Sequence, residues 1–306
     1  MRHLDVLIAA PSDPAGLPAW GDYHFARGLQ AALQRAGVRS RLLFRDTYEA
    51  APPPAGGGDL LVIRGKFAPA LSWLERAGYG TRLLWQISWP LDPTPEEWQS
   101  YDRIAVASPQ DLPRIARLSG RPCLLLLQAT AFAPHRQQQP DLSGQLLFVG
   151  STRGQVRPIV ADFAAAALPL QLIGQGWESV GLRPVAPGIP NACLPALYSG
   201  ALAVLNDHHS AMAAYGYLNN RCFDVLACGV PLITDVAPGC PAELAAAVIC
   251  HRPGTDTPQR SLERALALQE QRQLLMAVAR QTRRHHSFEA RVAQLLAAAG
   301  PDAGTP

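Results

Sequence analysis

Short apolar runs recur along the chain and alternate with segments whose apolar residues follow a helical spacing. In the first half they predict strands over residues 4–10, 40–46, 59–65, 81–88, 103–108 and 122–128. Between the first two strands, the apolar positions from Phe25 to Ala36 recur at helical spacing, and Gly37 is suited to end that helix. Continuous apolar strands that alternate with helices are typical of a parallel sheet covered on both faces.

The second half shows the same alternation of apolar runs and helical segments. It predicts strands over 144–151, 168–175, 201–207, 230–235 and 246–250, with helices over 154–166, 194–200, 219–228, 240–247, 258–282 and 287–299. A polar, proline-bearing segment over 130–144 separates the halves. We therefore predict an α/β chain of two tandem Rossmann-like, doubly wound domains over 1–135 and 136–285. A C-terminal helix and tail over 286–306 can pack back on the first domain.

Ligands of doubly wound sheets bind beyond the carboxyl ends of the strands, where the strand order reverses. With two such sheets, we expect the site in a central cleft between the domains. Polar groups do gather at predicted strand ends in the second half, above all in the stretch 207–235.

Composition narrows the class of protein. The chain has 306 residues, 48% hydrophobic and 17% charged, with a net charge of +3, and the basic residues are too dispersed to predict nucleic-acid binding. The densest basic cluster, RQTRRHH at 280–286, predicts a solvated helix end or, alternatively, a weak peripheral membrane contact. We expect neither an export signal nor a membrane span, and hence a cytoplasmic protein, with the inner face of the membrane as a further option. The six cysteines lack metal-site spacing and are expected to be reduced thiols, with no metal cofactor.

Two strand ends carry glycines, and the first of them is also flanked by cations. After the strand at 144–151, Gly150 and Ser151 precede a helix start flanked by Arg153 and Arg157, a pattern that suits an anion. The alternative is a glycine needed for steric reasons only. The next strand ends in Gly174, Gly176 and Trp177, which favours either a base stacked on the indole or a plain turn with a packed Trp. The sequence G-x-G-x-x-G is absent, which disfavours a dinucleotide dehydrogenase.

The stretch 207–235 is the most specific of these patterns. Arg221 and Asp224 lie three residues apart at the start of a predicted helix, on one helical face. A guanidinium suits a diphosphate and a carboxylate suits two sugar hydroxyls, so the pair predicts a site for a ribose diphosphate. An ion pair between the two side chains is the alternative. His208 and His209 follow a strand end and are either site or structural residues.

The same stretch, NDHHSAMAAYGYLNNRCFDVLACGVPLITD, resembles the C-terminal motif of bacterial CgeB-like glycosyltransferases, near the group 1 (GT4-like) enzymes of the GT-B superfamily. The resemblance implies a GT-B fold and a nucleoside-diphosphate sugar as the donor. It assigns Asp224 to the donor ribose, as the second acid of the E-x7-E motif, whereas Gly216 stands where the first acid belongs. The resemblance further implies a set of donor-binding residues: Asp207, His208 and His209 near the sugar, and Asn219, Asn220 and Arg221 near the diphosphate.

The first domain is then expected to bind the acceptor. Trp20 and Gly21 lead into a helix whose first turn holds Asp22 and His24, which are acceptor-side or catalytic candidates, although Asp22 also suits a simple N-cap. Trp85 and Trp89 flank another strand end, where aromatic faces suit sugars and buried packing is the alternative.

These patterns together predict a glycosyltransferase that moves a sugar to a glycan, lipid-linked or protein acceptor. With no Asp-x-Asp, we expect metal-independent transfer, with cations stabilising the departing diphosphate. The resemblance to group 1 enzymes implies that the sugar keeps its configuration, whereas an inverting enzyme would need a base in the first domain, for which Asp22 and His24 are the candidates. The catalytic candidates are Asp22, His24, His208 and Arg221. The alternatives are a sugar-nucleotide epimerase or hydrolase on the same fold and a non-catalytic binding or scaffold subunit.

Overall fold

The computed structural model of the chain describes residues 3–54, 57–65, 67–88, 93–136, 144–152, 154–235 and 238–298. These residues form two compact units. The first contains the residues up to Ala129, the segment Ala214–Leu218 and the chain from His286 onward, and the second contains Thr130–Ala213 and Asn219–His285. The boundary between the units therefore follows Ala129, and a five-residue segment of the second half belongs to the first unit.

The first unit is built on a six-stranded parallel sheet. Its strands are β1 (His3–Ile8), β2 (Arg39–Phe44), β3 (Asp59–Arg64), β4 (Arg82–Gln86), β5 (Arg103–Val106) and β6 (Cys123–Leu125). They are ordered β2-β1-β3-β4-β5-β6 and all pair in parallel. The connecting helices are α1 (Gly21–Arg35), α2 (Leu71–Arg76), α3 (Pro95–Gln99) and α4 (Leu112–Ser119).

The second unit repeats this topology with five strands. They are β7 (Leu146–Val149), β8 (Leu170–Ile173), β9 (Ala203–Asn206), β10 (Leu232–Thr234) and β11 (Val248–Cys250), in the order β11-β10-β9-β7-β8. Its helices are α5 (Pro158–Ala165), α6 (Leu194–Gly200), α7 (Ser210–Ala214), α8 (Asn220–Ala227), α9 (Pro258–Glu270) and α10 (Arg272–His285). All eleven predicted strands are present, and the predicted pair of doubly wound sheets is confirmed.

Two helix predictions in the second half were wrong. The pattern over 258–282 is divided into α9 and α10, because Gln271 leaves the helical conformation between them. The helix predicted over 240–247 is only a 3-10 turn at Ala245–Ala247, because β11 begins directly at Val248 and leaves no length for a helix.

The last helix, α11 (Phe288–Ala298), packs on α1 within the first unit. The Phe288 ring fits against Gly28, where an added Cβ would lie 2.4 Å from the ring. The buried Arg291 guanidinium donates to the carbonyl oxygens of Leu127 and Gln128. The glycine on α1 thus provides the space that the terminal helix occupies.

Candidate functional site

The candidate site lies at the carboxyl edge of the second unit's sheet, where the strand order reverses between β7 and β9. These two strands pair directly, although β8 intervenes in sequence. Their connections leave the sheet in opposite directions, so a crevice forms beyond their ends, which is where ligands of doubly wound sheets bind. Gly150 and Ser151 follow β7, and Asp207 follows β9. The position expected from the sequence is thus the topological switch point.

Arg221, on the first turn of α8, extends its guanidinium to this edge. It donates to the Val149 carbonyl oxygen at 2.5 Å and to the Asn206 side-chain oxygen at 2.9 Å. The guanidinium carbon lies 4.9 Å from the centroid of the Phe148 ring. These partners are neutral, and no ion pair joins Arg221 to a carboxylate among the residues that the structure describes. The guanidinium is therefore held in place by neutral groups and not by a carboxylate in direct contact, which suits an anionic ligand.

A second cation, Arg157, bridges the two strand ends. It is the N-cap residue of α5 and donates to the Ser151 carbonyl oxygen after β7 and, at 3.0 Å, to the Asp207 carboxylate after β9. Since Asp207 carries a compensating charge, Arg157 contributes less net charge to the edge than Arg221. Arg153, the other predicted cation, lies outside the described residues.

The N-terminus of α8 adds to the positive potential. Asn219 is its N-cap residue, but the side chain donates to the Asp207 carbonyl oxygen at 2.8 Å instead of capping the helix. The first-turn N–H groups, which lack intrahelical acceptors, are consequently not satisfied by this side chain. Asn220 donates to Asp224, and its own amide oxygen is buried without a hydrogen-bond partner.

Three glycines of the predicted donor site are explained by close packing. A Cβ at Gly174 would lie 2.2 Å from the Gly150 carbonyl oxygen, and one at Gly176 would lie 2.4 Å from the Thr152 hydroxyl oxygen. A Cβ at Gly150 would lie 3.1 Å from the Arg221 guanidinium. Close packing therefore requires glycine at Gly174 and Gly176 and is only tight at Gly150, and a direct donor contact stays a prediction for all three. Ser151 joins the loops that follow β7 and β8, since its hydroxyl accepts from the Gln175 backbone N–H.

The prediction that Trp177 stacks on a base is contradicted. The residue is only 1% exposed, its indole N–H donates to the Gly150 carbonyl oxygen at 3.0 Å, and its ring packs edge-on against Phe148. A buried ring has no free face. Trp177 therefore supports the loop beneath Arg221 as a core residue.

Asp224 is also turned inward, contrary to its predicted role at the ribose. Its carboxylate accepts from the Thr130 hydroxyl at 2.6 Å and from the Asn220 amide at 2.8 Å. Burial raises the pKa of Asp224 to about 7, although both hydrogen bonds and the Arg221 charge lower it. The alternative of an Arg221–Asp224 hydrogen-bonded pair does not hold either, because each side chain has other partners.

His208 is a buried structural residue, which corrects its assignment as catalytic. Its side chain is fully buried, and both its Nδ1 and its backbone N–H contact the carboxylate of Asp235, at 2.6 and 2.7 Å. Because the imidazole lies inside the protein, it does not reach a ligand at the sheet edge. His209 is exposed, and its Nδ1 accepts from the Ala211 backbone N–H at the start of α7.

The glycine that replaces the first acid of the E-x7-E motif is required by its surroundings. Gly216 has a φ of +72° and belongs to the first unit. A Cβ there would lie 2.6 Å from the Gln110 side-chain oxygen and 3.1 Å from the Ser108 hydroxyl oxygen. Its neighbours anchor the segment, since Ser108 donates to the Tyr215 carbonyl oxygen and Tyr217 donates to Asp111. No acidic side chain fits at this position.

In the first unit, the predicted acceptor-side residues surround the start of α1. Asp22 lies on its first turn, where one carboxylate oxygen accepts from the Tyr23 N–H and the other is buried without a partner. Burial raises the pKa of Asp22, and nearby backbone N–H groups at Ala9 and Ala10 oppose that rise. The N-cap residue is Trp20 instead of Asp22, so the simple capping role does not hold.

The neighbours of Asp22 differ in accessibility. A His24 ring nitrogen lies 2.9 Å from the Pro18 carbonyl oxygen. Gly21 is exposed, with open space around a hypothetical Cβ, and Arg45 stacks on the half-buried Trp20 at 5.0 Å from its ring centroid. The N-terminus of α1 thus presents Gly21 and Trp20 at the surface beside the Asp22 carboxylate.

Trp85 does not contribute to an acceptor site. It is fully buried, its indole N–H donates to the Leu126 carbonyl oxygen, and its ring packs edge-on against Phe25. It lies within β4 in the core, so the buried-packing alternative holds. Trp89 lies outside the described residues.

Sequence reasoning missed three polar residues of this region. Asn206 ends β9 and holds Arg221, Asp235 follows β10 and holds His208, and Thr130 holds Asp224. The first two carried a usable signal, because each is a polar residue directly at the end of an apolar strand. Thr130 carried none, since its contact joins residues 94 apart in sequence.

Neither a metal cluster nor a membrane span is found in the described part of the chain. No three His, Cys, Asp or Glu side chains there are grouped to hold a metal ion. None of the described helices combines the length and the apolar character needed to cross a membrane.

Comparisons with known proteins bear on this geometry. Residues 155–297 match the glycosyl transferase-like family model. The match contains Arg157, Asn206 and α8, so it includes most of the candidate site. No curated protein matches the sequence significantly.

Solved structures share the fold over nearly the whole chain. Sucrose-phosphate synthase from Thermosynechococcus elongatus superposes with a TM-score of 0.65 at 16% identity, covering 97% of this chain and 98% of that one. AviGT4, a glycosyltransferase involved in avilamycin A biosynthesis, gives 0.66 at 15% identity, covering 97% and 96%. HepE from Anabaena, in complex with UDP and glucose, gives 0.60 at 10% identity, covering 97% and 100%. The fold is that of GT-B glycosyltransferases, with two Rossmann-like domains.

Proposed function

We propose that the protein is a glycosyltransferase that binds a nucleoside-diphosphate sugar at the switch point of its second unit. The observation that carries the proposal is the guanidinium of Arg221, which neutral partners, Val149 and Asn206, fix beside the N-terminus of α8. A helix N-terminus and a fixed guanidinium both favour a diphosphate over a neutral ligand.

The comparisons support the class of donor. The glycosyl transferase-like match includes most of the candidate site, and HepE, of similar fold, is described in complexes with UDP and with UDP-glucose. We carry this over as the proposal that a uridine diphosphate sugar is among the donors that the chain accepts. On the strength of the sequence resemblance, the proposal also includes the CgeB-like branch, a hexosyl donor and a role in polysaccharide biosynthesis. A cytoplasmic location is proposed because scattered cysteines without a disulfide pattern suit a reducing compartment.

The chemistry proposed for the site is stabilisation of the leaving diphosphate. When the bond between the sugar and the phosphate breaks, negative charge develops on the phosphate oxygen. Arg221 and the first-turn N–H groups of α8 stabilise that charge. Arg157, which contacts Ser151 and Asp207, holds the ends of β7 and β9 together. We propose that these groups make the transfer metal-independent, and that it retains the configuration of the sugar.

The acceptor side of the proposal rests on Asp22. Its carboxylate has a buried, unpartnered oxygen and a raised pKa, and it lies beside the exposed Gly21 and the half-buried Trp20. We propose that the acceptor lies against Gly21 and Trp20, with the Asp22 carboxylate beside it. A glycan, a lipid-linked glycan and a protein are all acceptors of this chemistry, and His24 is the neighbouring base candidate.

The direct test uses purified protein and a panel of UDP, GDP and dTDP sugars. We expect one donor class to raise the melting temperature and to release nucleoside diphosphate slowly, even with water as the acceptor. The Arg221→Ala variant is expected to weaken donor binding by at least about tenfold, since one hydrogen-bonded charge contributes on the order of 1.5–3 kcal/mol. The Arg264→Ala variant, which removes an exposed arginine of α9 in the same unit, is the matched control.

Three outcomes bear on the alternatives. No stabilisation by any nucleotide sugar would refute the transferase. Binding without turnover under any acceptor would favour a scaffold subunit, and conversion of the free donor without transfer would favour an epimerase or hydrolase. Equal losses in the Arg221→Ala and Arg264→Ala variants would remove the role assigned to Arg221.

A further inference from the structure

A closed network of buried polar groups lies directly beneath Arg221. Asn206 and Thr234 are the last residues of β9 and β10, they pair in register, and both are fully buried. The Asn206 amide nitrogen donates to the Thr234 hydroxyl at 3.0 Å, and this hydroxyl donates to the Asp235 carboxylate at 3.1 Å. Buried polar groups are costly unless they are fully paired, so such a network has to be satisfied in one arrangement.

The donors and acceptors of the network are compatible with only one orientation of the Asn206 amide. Its oxygen accepts from Arg221, and its nitrogen donates to Thr234 and lies 3.3 Å from the Cys222 sulfur. A rotated amide would point an N–H at the guanidinium, which has no acceptor to offer. The amide oxygen is therefore fixed on the side of Arg221.

His208 and Asp235 close the other side of the network. The Asp235 carboxylate receives the His208 Nδ1–H, the His208 backbone N–H and the Thr234 hydroxyl. The remaining ring nitrogen of His208 lies 3.5 Å from the Asn206 amide nitrogen and is placed to accept from it. Each partner of Asn206, other than Arg221, is thus itself held by a neighbour.

We infer that Asn206 is a positioning residue, which holds the Arg221 guanidinium in the orientation that receives the donor diphosphate. Thr234, His208 and Asp235 act through it, because they fix the side of the amide that Arg221 contacts. The inference rests on the proposed function, since it names what prepares the cation of that same site. It also gives the buried His208 a role that needs no contact with substrate.

The test is a double-mutant cycle on UDP binding, measured by calorimetry with the full chain. Asn206→Leu is close in size and removes the hydrogen bonds of the amide. We expect it to weaken UDP binding by roughly tenfold in the wild-type background and to have almost no effect in the Arg221→Ala background. Thr234→Val, which leaves the Asn206–Arg221 contact in place, is expected to weaken UDP binding by about threefold with the same dependence on Arg221. Ser261→Ala removes a buried hydroxyl of α9 that pairs with His251, and serves as the control for lost stability.

A second readout is the crystal structure of the Asn206→Leu variant, in which the guanidinium is expected to leave Val149. Equal effects of Asn206→Leu with and without Arg221 would overturn the inference, because they would indicate a general loss of structure. An unmoved guanidinium would overturn it as well. If the wild-type chain binds no nucleoside diphosphate while the guanidinium moves as expected, the proposed function fails and the positioning contact stands.

Discussion

Replacing Asp224 by asparagine is expected to stabilise the protein at neutral and alkaline pH. Burial raises the pKa of this carboxyl from its ordinary 3.8 to about 7. The folded chain therefore keeps a proton on Asp224 that the unfolded chain has already lost, and the free energy of unfolding falls as the pH rises from about 4 to about 7. The difference between these two pKa values corresponds to a loss of about 4 kcal/mol in the free energy of unfolding, and the loss is complete above pH 7.

The hydrogen bonds around Asp224 accommodate the amide. Thr130 donates to one carboxylate oxygen, and the asparagine oxygen can accept in the same place. Asn220 donates to the other oxygen, while its own amide oxygen is buried without a partner. If the Asn220 amide turns over, that oxygen accepts from the new amide nitrogen, and both side chains are satisfied.

Equilibrium urea denaturation of both proteins between pH 5 and pH 9 is the measurement. The difference in free energy of unfolding, variant minus wild type, is expected to grow with pH and to level off above pH 7. Asp256→Asn is the control, because hydrogen bonds from Arg252 lower the pKa of Asp256 to about 2 and this carboxylate offers no such gain. A difference that is independent of pH, or a variant less stable at pH 8, would refute the reasoning. Unchanged UDP affinity of Asp224→Asn is expected too, and a large loss would restore the ribose contact.

Two further substitutions test the close packing of the glycines. Gly174→Ala is expected to cost about 3 kcal/mol of stability and to displace the backbone at Gly150, because the new Cβ meets backbone atoms and the φ of +141° is unfavourable for alanine. Thermal denaturation and UDP binding measure the two effects. Gly188→Ala is the control, since a Cβ there has open space around it. Gly216→Glu, which supplies the missing acid of the E-x7-E motif, is expected to lower stability by about 1–3 kcal/mol and to add no donor affinity. Tighter UDP binding by Gly216→Glu would contradict the account of that position.

The architecture followed from the sequence to a large extent. Apolar runs and helical spacing depend on local side-chain order, and they located all eleven strands and the two sheets. The switch point was also accessible, because the carboxyl ends of parallel strands share one edge. The helix ends near Gln271 and Val248 could not be predicted from the sequence. The backbone conformation of Gln271 ends α9, and the start of β11 at Val248 leaves no room for a helix before it.

The sequence predicted where the site residues lie in the fold better than it predicted what each side chain does there. The sequence alone indicated that Gly150, Asp207 and Arg221 lie near one another, because each follows a strand or begins a helix at the same edge. It did not indicate which side chains point outward. Trp177 and His208 point inward, where their polar atoms pair with Gly150 and Asp235, each 27 residues away in sequence.

What the sequence by itself determined is therefore the fold and the edge of the sheet at which charge collects. The tertiary structure alone decided which polar groups remain available there. Thr130 engages Asp224 across 94 residues, and Asn206 holds Arg221 across 15, so the inward or outward orientation of each depends on contacts that no local pattern encodes. The physical reason is that burial and hydrogen-bond pairing, which set the charge and accessibility of a side chain, arise only when distant segments pack together.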